Sequence, residues 1–273
     1  MASTPLSFST LSILIPCYNE AATIDRTIDA VLEQRERLLE IGLTLQIVAV
    51  DDASRDGTYD RLAERARCAD GMIVTARHEV NQGKGAAIQT ARAHATGDIA
   101  IIQDADLEYD PVDIPRVLGP ILDGQADAVI GTRFSGGGVH RVLYFWHRIG
   151  NLGVTLLSNI FTNLNLTDME AGYKAFTMPA FRLMHLTNMR FGIEPEIVAR
   201  LSQMGARVYE VPISYHGRTY AEGKKLTWRD GVAAVVHILR AHFSRGKQAR
   251  LVPTPLANCE SGAASLAPRA PNP

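Results

Sequence analysis

The chain has 273 residues, 46% hydrophobic and 21% charged, which fits one large α/β domain or two small ones able to bury a sizeable core. Its 28 Lys plus Arg against 29 Asp plus Glu leave a net charge of -1, which argues against the basic footprint of a nucleic-acid binder. Cys17, Cys68 and Cys259 form no CxxC pair, so neither a disulfide framework nor a zinc site is expected, and a cytoplasmic setting fits.

In chain order, residues 1–10 read as a flexible N-terminus without the basic stretch and apolar core of a secretory signal. Short apolar runs of strand length follow at Leu11–Ile15, Leu45–Val50, Met72–Thr75, Ile99–Ile102, Ala128–Ile130 and Val208–Val211. Between the first four lie helical patterns at 21–40, 58–67 and 85–95. Strands alternating with helices of this length predict βαβ units and a mostly parallel sheet buried on both faces. The second half is less regular, with a flexible loop "GTRFSGGG" (131–138) and helices at 142–164, 193–204 and 232–243. From Ser244 the Pro, Ala, Ser and Gly content predicts a disordered tail, 244–273. The uncharged run Ile149–Thr167 carries Asn151, Asn159, Asn163 and Asn165 and is not read as a transmembrane helix.

In an open α/β sheet, ligands bind beyond the carboxyl ends of the strands. The unusual residues gather there: "PCYNE" (16–20), "DDASRDGT" (51–58), "NQGKG" (81–85) and "DADLE" (104–108) follow the first four strands. "NQGKGAA" is neither a Walker A loop nor a dinucleotide fingerprint, because the Ser or Thr and the third glycine are missing. Asp104, Asp106 and Glu108 offer hard oxygen ligands at a strand end, a donor set suited to Mg²⁺ or Mn²⁺ shared with substrate phosphate. The eight histidines show no metal-ligand spacing and are expected mostly on the surface or on helices, with His216 beside Arg218 near phosphate.

At these motifs the chain resembles the family-2 glycosyltransferases with the GT-A fold: "SILIPCYNEAATI" (12–24), "VAVDDASRDGT" (48–58), "NQGKGAAI" (81–88) and "QDADLEYDP" (103–111). It looks most like the polyprenyl-phosphate hexosyltransferases, the dolichol-phosphate mannose synthase group, through "GTRF" (131–134), "DMEAGYKAF" (168–176), "FGIEPEI" (191–197) and "VPISYHGRTYAEGKKLTWRDG" (211–231). The resemblance runs from about residue 11 to 242. It implies one GT-A domain over 11–243, with a nucleotide-sugar half (11–131) and an acceptor half (132–243). Pro16, Tyr18 and Glu20 match the nucleoside positions, with Asp52 on base or ribose and Lys84 in the same donor site. Asp104 and Asp106 match the metal and diphosphate positions, with Ala105 against the nucleotide. Glu108 stands where a glutamine is the usual third ligand. Arg133, Arg148, Arg218 and Lys225 match the cations gathered around the diphosphate and the acceptor phosphate, a chemistry that guanidinium forks and ammonium groups suit.

The activity implied is inverting, metal-dependent transfer of mannose from GDP-mannose, or glucose from UDP-glucose, to a polyprenyl (dolichyl or undecaprenyl) phosphate. A phosphate acceptor has a second pKa of about 6 and needs no general base, whereas an alcohol does. Asp168, Glu170 and Glu194 are available carboxylates in the acceptor half, where Asp168, Lys174 and Glu194 are the acceptor-side candidates. A transferase acting on an alcohol with Asp168 or Glu194 as base stays open at this point, as does a non-catalytic binder of nucleotide sugars. Asp168 is equally read as a helix cap or a backbone partner, and Glu194 as packed on an Arg. A lipid acceptor implies a membrane surface as partner. Helices 142–164 and 232–243 are expected either to lie against a bilayer or to pack on the core or another subunit. Asp110, directly before Pro111, reads as a turn and helix-start residue.

Overall fold

The computed structural model describes residues 8–135, 142, 144–190, 192–217, 228–243 and 249–251. A seven-stranded sheet runs in the order β3-β2-β1-β4-β6-β5-β7, with β6 antiparallel to both neighbours and every other pair parallel. The strands are β1 (Thr10–Cys17), β2 (Thr44–Asp51), β3 (Ile73–Arg77), β4 (Ile99–Ile102), β5 (Ala128–Thr132), β6 (Lys174–Thr177) and β7 (Val208–Pro212). The flanking helices are α1 (Ile24–Leu32), α2 (Arg35–Glu40), α3 (Thr58–Arg67), α4 (Lys84–His94), α5 (Ile114–Leu122), α6 (Phe145–Thr162), α7 (Met178–Leu183), α8 (Ile193–Met204) and α9 (Trp228–Phe243).

All six predicted strands are present, and the apolar continuity of "IAII" follows from burial of every residue of β4 on both faces. The sheet separates two core layers. One holds Ile13, Ile15, Ile28, Val117 and Tyr173, the other Leu14, Ile88, Ile102, Phe181 and Ile197. The stripe predicted as one helix over 21–40 is two, broken at Glu33–Gln34, although neither glycine nor proline marks the break. Asp110 accepts a hydrogen bond from Val112 N at 3.0 Å and starts the turn into α5, as its place before Pro111 predicted.

The strand the sequence did not disclose is β6. It is four residues long and begins with a lysine, yet all four are buried. Its register decides the site. Ile101 pairs with Ala175 and Ile130 with Lys174, both antiparallel. Continuing those registers beyond the strands sets Asp104 opposite Gly172 and Arg133 opposite Ala171.

A few residues of the two segments expected to be flexible are described. Ser9 and Thr10 donate to the Asp98 carboxylate through their backbone N–H groups, at 2.7 and 3.1 Å. Leu251 donates to the Met204 carbonyl and packs on the core. The remainder of the predicted tail lies outside the described residues, as do Arg218, Lys225 and the glycines at 136–138. Among the described residues no helix is long and apolar enough to cross a membrane.

Candidate active site

The four polar clusters do converge at the carboxyl ends of β1 to β4, and they are tied to one another. The loop after β1 is clasped to the loop after β2. Asn19 N donates to Ser54 Oγ (2.8 Å), Glu20 N to Thr58 Oγ1 (2.9 Å), and Arg55 N to Asn19 Oδ1 (3.0 Å). Pro16 closes β1 opposite Val50, Tyr18 is exposed, and the Glu20 carboxylate accepts from Thr23 Oγ1 at 2.8 Å.

Asp52 was expected on base or ribose, but it turns inward. It is buried, and its two oxygens accept from Gln82 N (2.8 Å) and Gly83 N (2.7 Å), with His78 Nδ1 also 2.7 Å away. His78, expected at the surface, is buried between Asp52 and Thr90. Asp52 therefore holds the turn that starts α4. Gly83 is required in that turn: its φ is +103°, and a Cβ there would lie 2.5 Å from the Met189 carbonyl oxygen. The oxygen without a protein partner among the described residues at this strand end is Oδ1 of the neighbouring Asp51.

The end of β4 meets the acceptor half through alternating charges. Lys84 Nζ lies 2.8 Å from Asp104 Oδ1 and 3.0 Å from Glu194 Oε1, and Lys174 Nζ binds the other oxygen of Glu194. Lys174 is fully buried, and its ammonium also donates to the carbonyls of Met169 and Ala171. Burial opposes the charge on Lys84, yet Asp104 and Glu194 hold its pKa well above the ordinary lysine value. Burial likewise disfavours the charged Glu194, but Lys174 and Lys84 hold its carboxyl below the usual range. Gly172 lies against this pair, where a Cβ would come 2.5 Å from Asp104 Oδ2.

A second buried pair joins Arg133, after β5, to Asp168. Arg133 Nε and Nη2 donate to the two carboxylate oxygens at 2.6 and 2.7 Å, and Arg133 N adds a third bond at 3.1 Å. Asn151 of α6 donates to the same carboxylate at 3.1 Å. Asp168 has no exposed surface. It is neither a helix cap nor a base open to substrate, and Glu194 is packed on two lysines rather than on an Arg.

Tyrosines line the floor between these pairs. The Tyr109 and Tyr173 rings stack at 5.5 Å, the Tyr109 hydroxyl accepts from Gly172 N, and the Arg133 guanidinium lies 5.0 Å from the Tyr215 ring. The Tyr215 hydroxyl donates to Glu108 Oε2 at 2.7 Å, and burial, then Glu108, push its pKa up. Sequence reading missed these rings and His78, because only tertiary partners distinguish them from ordinary core and surface residues. Arg148 reaches the same region from α6, its guanidinium 5.5 Å from the Phe134 ring that also neighbours Arg133. Ala105 is buried and its carbonyl accepts from Thr27 Oγ1.

Asp106 Oδ1 accepts from Glu108 N at 3.1 Å across a turn in which Leu107 takes φ 62°. Among the described residues no three His, Cys, Asp or Glu side chains converge as a metal cage. The donor chemistry still fits Mg²⁺ or Mn²⁺, which are held by one or two carboxylates and completed by substrate phosphate. A cavity of about 490 Å³ opens elsewhere, lined by Thr187, Asn188, Glu196, His237 and Arg240.

Residues 12–186 match the family described as glycosyl transferase family 2. The chain is 31% identical over 210 residues to the glycosyltransferase AglJ of Haloferax volcanii, covering 76% of this chain and 63% of that protein, so it spans less than two thirds of that relative. It is 31% identical over 222 residues to the undecaprenyl-phosphate mannosyltransferase of Micrococcus luteus, covering 77% of this chain and 85% of the relative. A crystal structure of glucosyl-3-phosphoglycerate synthase from Mycobacterium tuberculosis with Mn²⁺ and UDP-glucose superposes with a TM-score of 0.64 at 20% identity, over 86% of this chain and 79% of the other. At that identity the likeness establishes the shared GT-A architecture alone.

Proposed function

The chain belongs to glycosyl transferase family 2, and on that footing we propose that it moves a hexose from a nucleoside-diphosphate sugar to a polyprenyl phosphate. The donor is GDP-mannose or UDP-glucose, the acceptor carries a dolichyl or undecaprenyl chain, and one in-line displacement inverts the anomeric centre. One observation carries the choice of acceptor: both carboxylates that might have served as base, Asp168 and Glu194, are held in buried ion pairs. With those two carboxylates committed to cations, the site suits an acceptor that arrives already ionised. The name of the Micrococcus luteus relative points the same way.

In this reading Pro16, Tyr18, Glu20 and the partnerless oxygen of Asp51 face the nucleoside. Asp52 acts through the Gln82–Gly83 turn, and Ala105 backs the nucleotide. Asp104 and Asp106, with Glu108 once it leaves Tyr215, would hold Mg²⁺ or Mn²⁺, which would supply charge neutralisation for the departing nucleoside diphosphate. Lys84 keeps Asp104 placed, and Lys174 keeps Glu194 charged and in reach of Lys84. Arg133 and Arg148, with Arg218 and Lys225, offset the charge of acceptor and leaving group.

A lipid acceptor also needs a surface. Helix α6 buries Thr155, Ser158 and Thr162 and exposes Phe145, Trp146, Ile149, Leu152, Leu156 and Ile160. Val154, Leu157 and Phe161 of the other side pack on the core, so the open face is a second apolar surface, and we assign it to a bilayer. In α9 the exposed large apolar residues are Val235, Val236 and Phe243, whereas Ile238, expected on the same face, is buried.

The deciding assay offers labelled GDP-mannose or UDP-glucose to a short polyprenyl phosphate and, separately, to the matching polyprenol, with Mn²⁺ or Mg²⁺. Transfer to the phosphate alone, lost in Asp106→Ala, is expected. Transfer to the polyprenol alone would overturn the phosphate reading.

A further inference from the structure

Four acids and three cations share the centre of the site. Lys84 serves Asp104 and Glu194, Lys174 serves Glu194, and Arg133 is spent on Asp168. Among the described residues Glu170 has no cation of its own. It lies in the turn between Asp168 and Gly172, flanked by the two carbonyls, of Met169 and Ala171, that bind Lys174. Its Oε1 is buried and accepts no hydrogen bond. Among the described residues, the charged groups that act on it most strongly are Glu194 of α8, Lys174 of β6, Arg133 after β5, and Asp168 of its own turn. None of the three candidate metal ligands is among them.

A buried oxygen with no donor aimed at it is expensive for a carboxylate and cheap for a carboxylic acid, which carries its own proton. Burial first, then Glu194, push the Glu170 carboxyl from 4.5 up to about 7, against the opposing pull of Lys174 and Arg133. A phosphate dianion arriving beside Arg133 adds negative charge and favours the acid further. An apolar site can hold a carboxylic acid neutral so that it donates.

We propose that Glu170 is a binding residue for the acceptor, acting as a neutral acid whose O–H donates to an oxygen of the acceptor phosphate. This rests on the phosphate-acceptor reading above. It assigns Glu170 the opposite role to a general base, which would have to be ionised and to accept a proton. Above the Glu170 titration the proton is lost to solvent, and a second carboxylate charge then repels the phosphate.

The test uses the full chain and Glu170→Gln, whose amide can donate at any pH. Calorimetry at pH 7.5 in two buffers of different ionisation enthalpy measures protons taken up when a short polyprenyl phosphate binds. The native protein is expected to take up roughly 0.7 proton more than the variant, the share of Glu170 ionised at that pH. In turnover, native kcat/KM for the acceptor falls about tenfold per pH unit on the alkaline side. The variant is slower near pH 7 but lacks that limb. Equal proton uptake in the two proteins, no binding by the native protein, or an alkaline limb unchanged in the variant would each overturn the proposal. So would a variant inactive at every pH whose thermal midpoint and nucleotide-sugar binding match the native protein, since that marks a base. Native transfer to polyprenol but not to the phosphate would sink the functional reading instead, and the calorimetry still decides Glu170.

Discussion

Replacing Gly172 with alanine isolates the placement of Asp104 from the stability of the fold. The new Cβ would lie 2.5 Å from Asp104 Oδ2, 3.1 Å from Lys84 Nζ and 3.3 Å from Tyr109 Cε2. The closest of these atoms ends a side chain, so the carboxylate yields by roughly 1 Å while the backbone stays put. A displacement of that size at a reacting group costs about 100-fold in rate, close to 2.7 kcal/mol of barrier. Gly172 does not occupy the left-handed region, so alanine adds no backbone strain there. The thermal midpoint is therefore expected within a few degrees of native. Steady-state kinetics with a saturating nucleotide sugar, repeated over a Mn²⁺ titration, read the effect as a lower kcat and a weaker metal response. Native kcat with native metal dependence in a folded Gly172→Ala protein would refute the placement of Asp104 at the chemistry. A collapsed midpoint would refute the claim that only a side chain yields.

Two further outcomes follow from buried charge and exposed apolar surface. Asp168→Ala strands the Arg133 guanidinium in the interior, a loss of about 3–5 kcal/mol, and thermal unfolding should shift down by roughly 10 °C; an unchanged midpoint would show that water reaches this pair. Flotation of the native protein with anionic liposomes should be lost when Trp146 and Leu152 on the open face of α6 are both replaced by serine, with the midpoint unchanged. Equal flotation of native and variant would reassign that face.

Much of this protein is legible in one dimension because its signals are local. Apolar runs such as "IAII" specify buried parallel strands, the spacing between them specifies helices, and polar clusters just past the strands mark the ligand edge. What local pattern cannot carry is which charge meets which. Lys174 is one charged residue of a motif until β6 slots between β4 and β5 and Glu194 arrives from α8 to neutralise it. Asp168 and Glu194 read as available bases until Arg133, Lys84 and Lys174 close on them across 35, 110 and 20 positions of sequence. Asp52 and Asp51 are neighbours in the chain, yet only the fold turns the first onto the Gln82–Gly83 backbone and leaves the second with a partnerless oxygen. Glu170 is one more acceptor-half carboxylate in sequence, and its carboxyl is raised only in the fold, by burial first and then by Glu194. The residue types and their order determined the fold and the family. The pairing of buried charges was decided by tertiary structure, in which the antiparallel register of one four-residue strand brings Lys174 between its neighbours and onto Glu194.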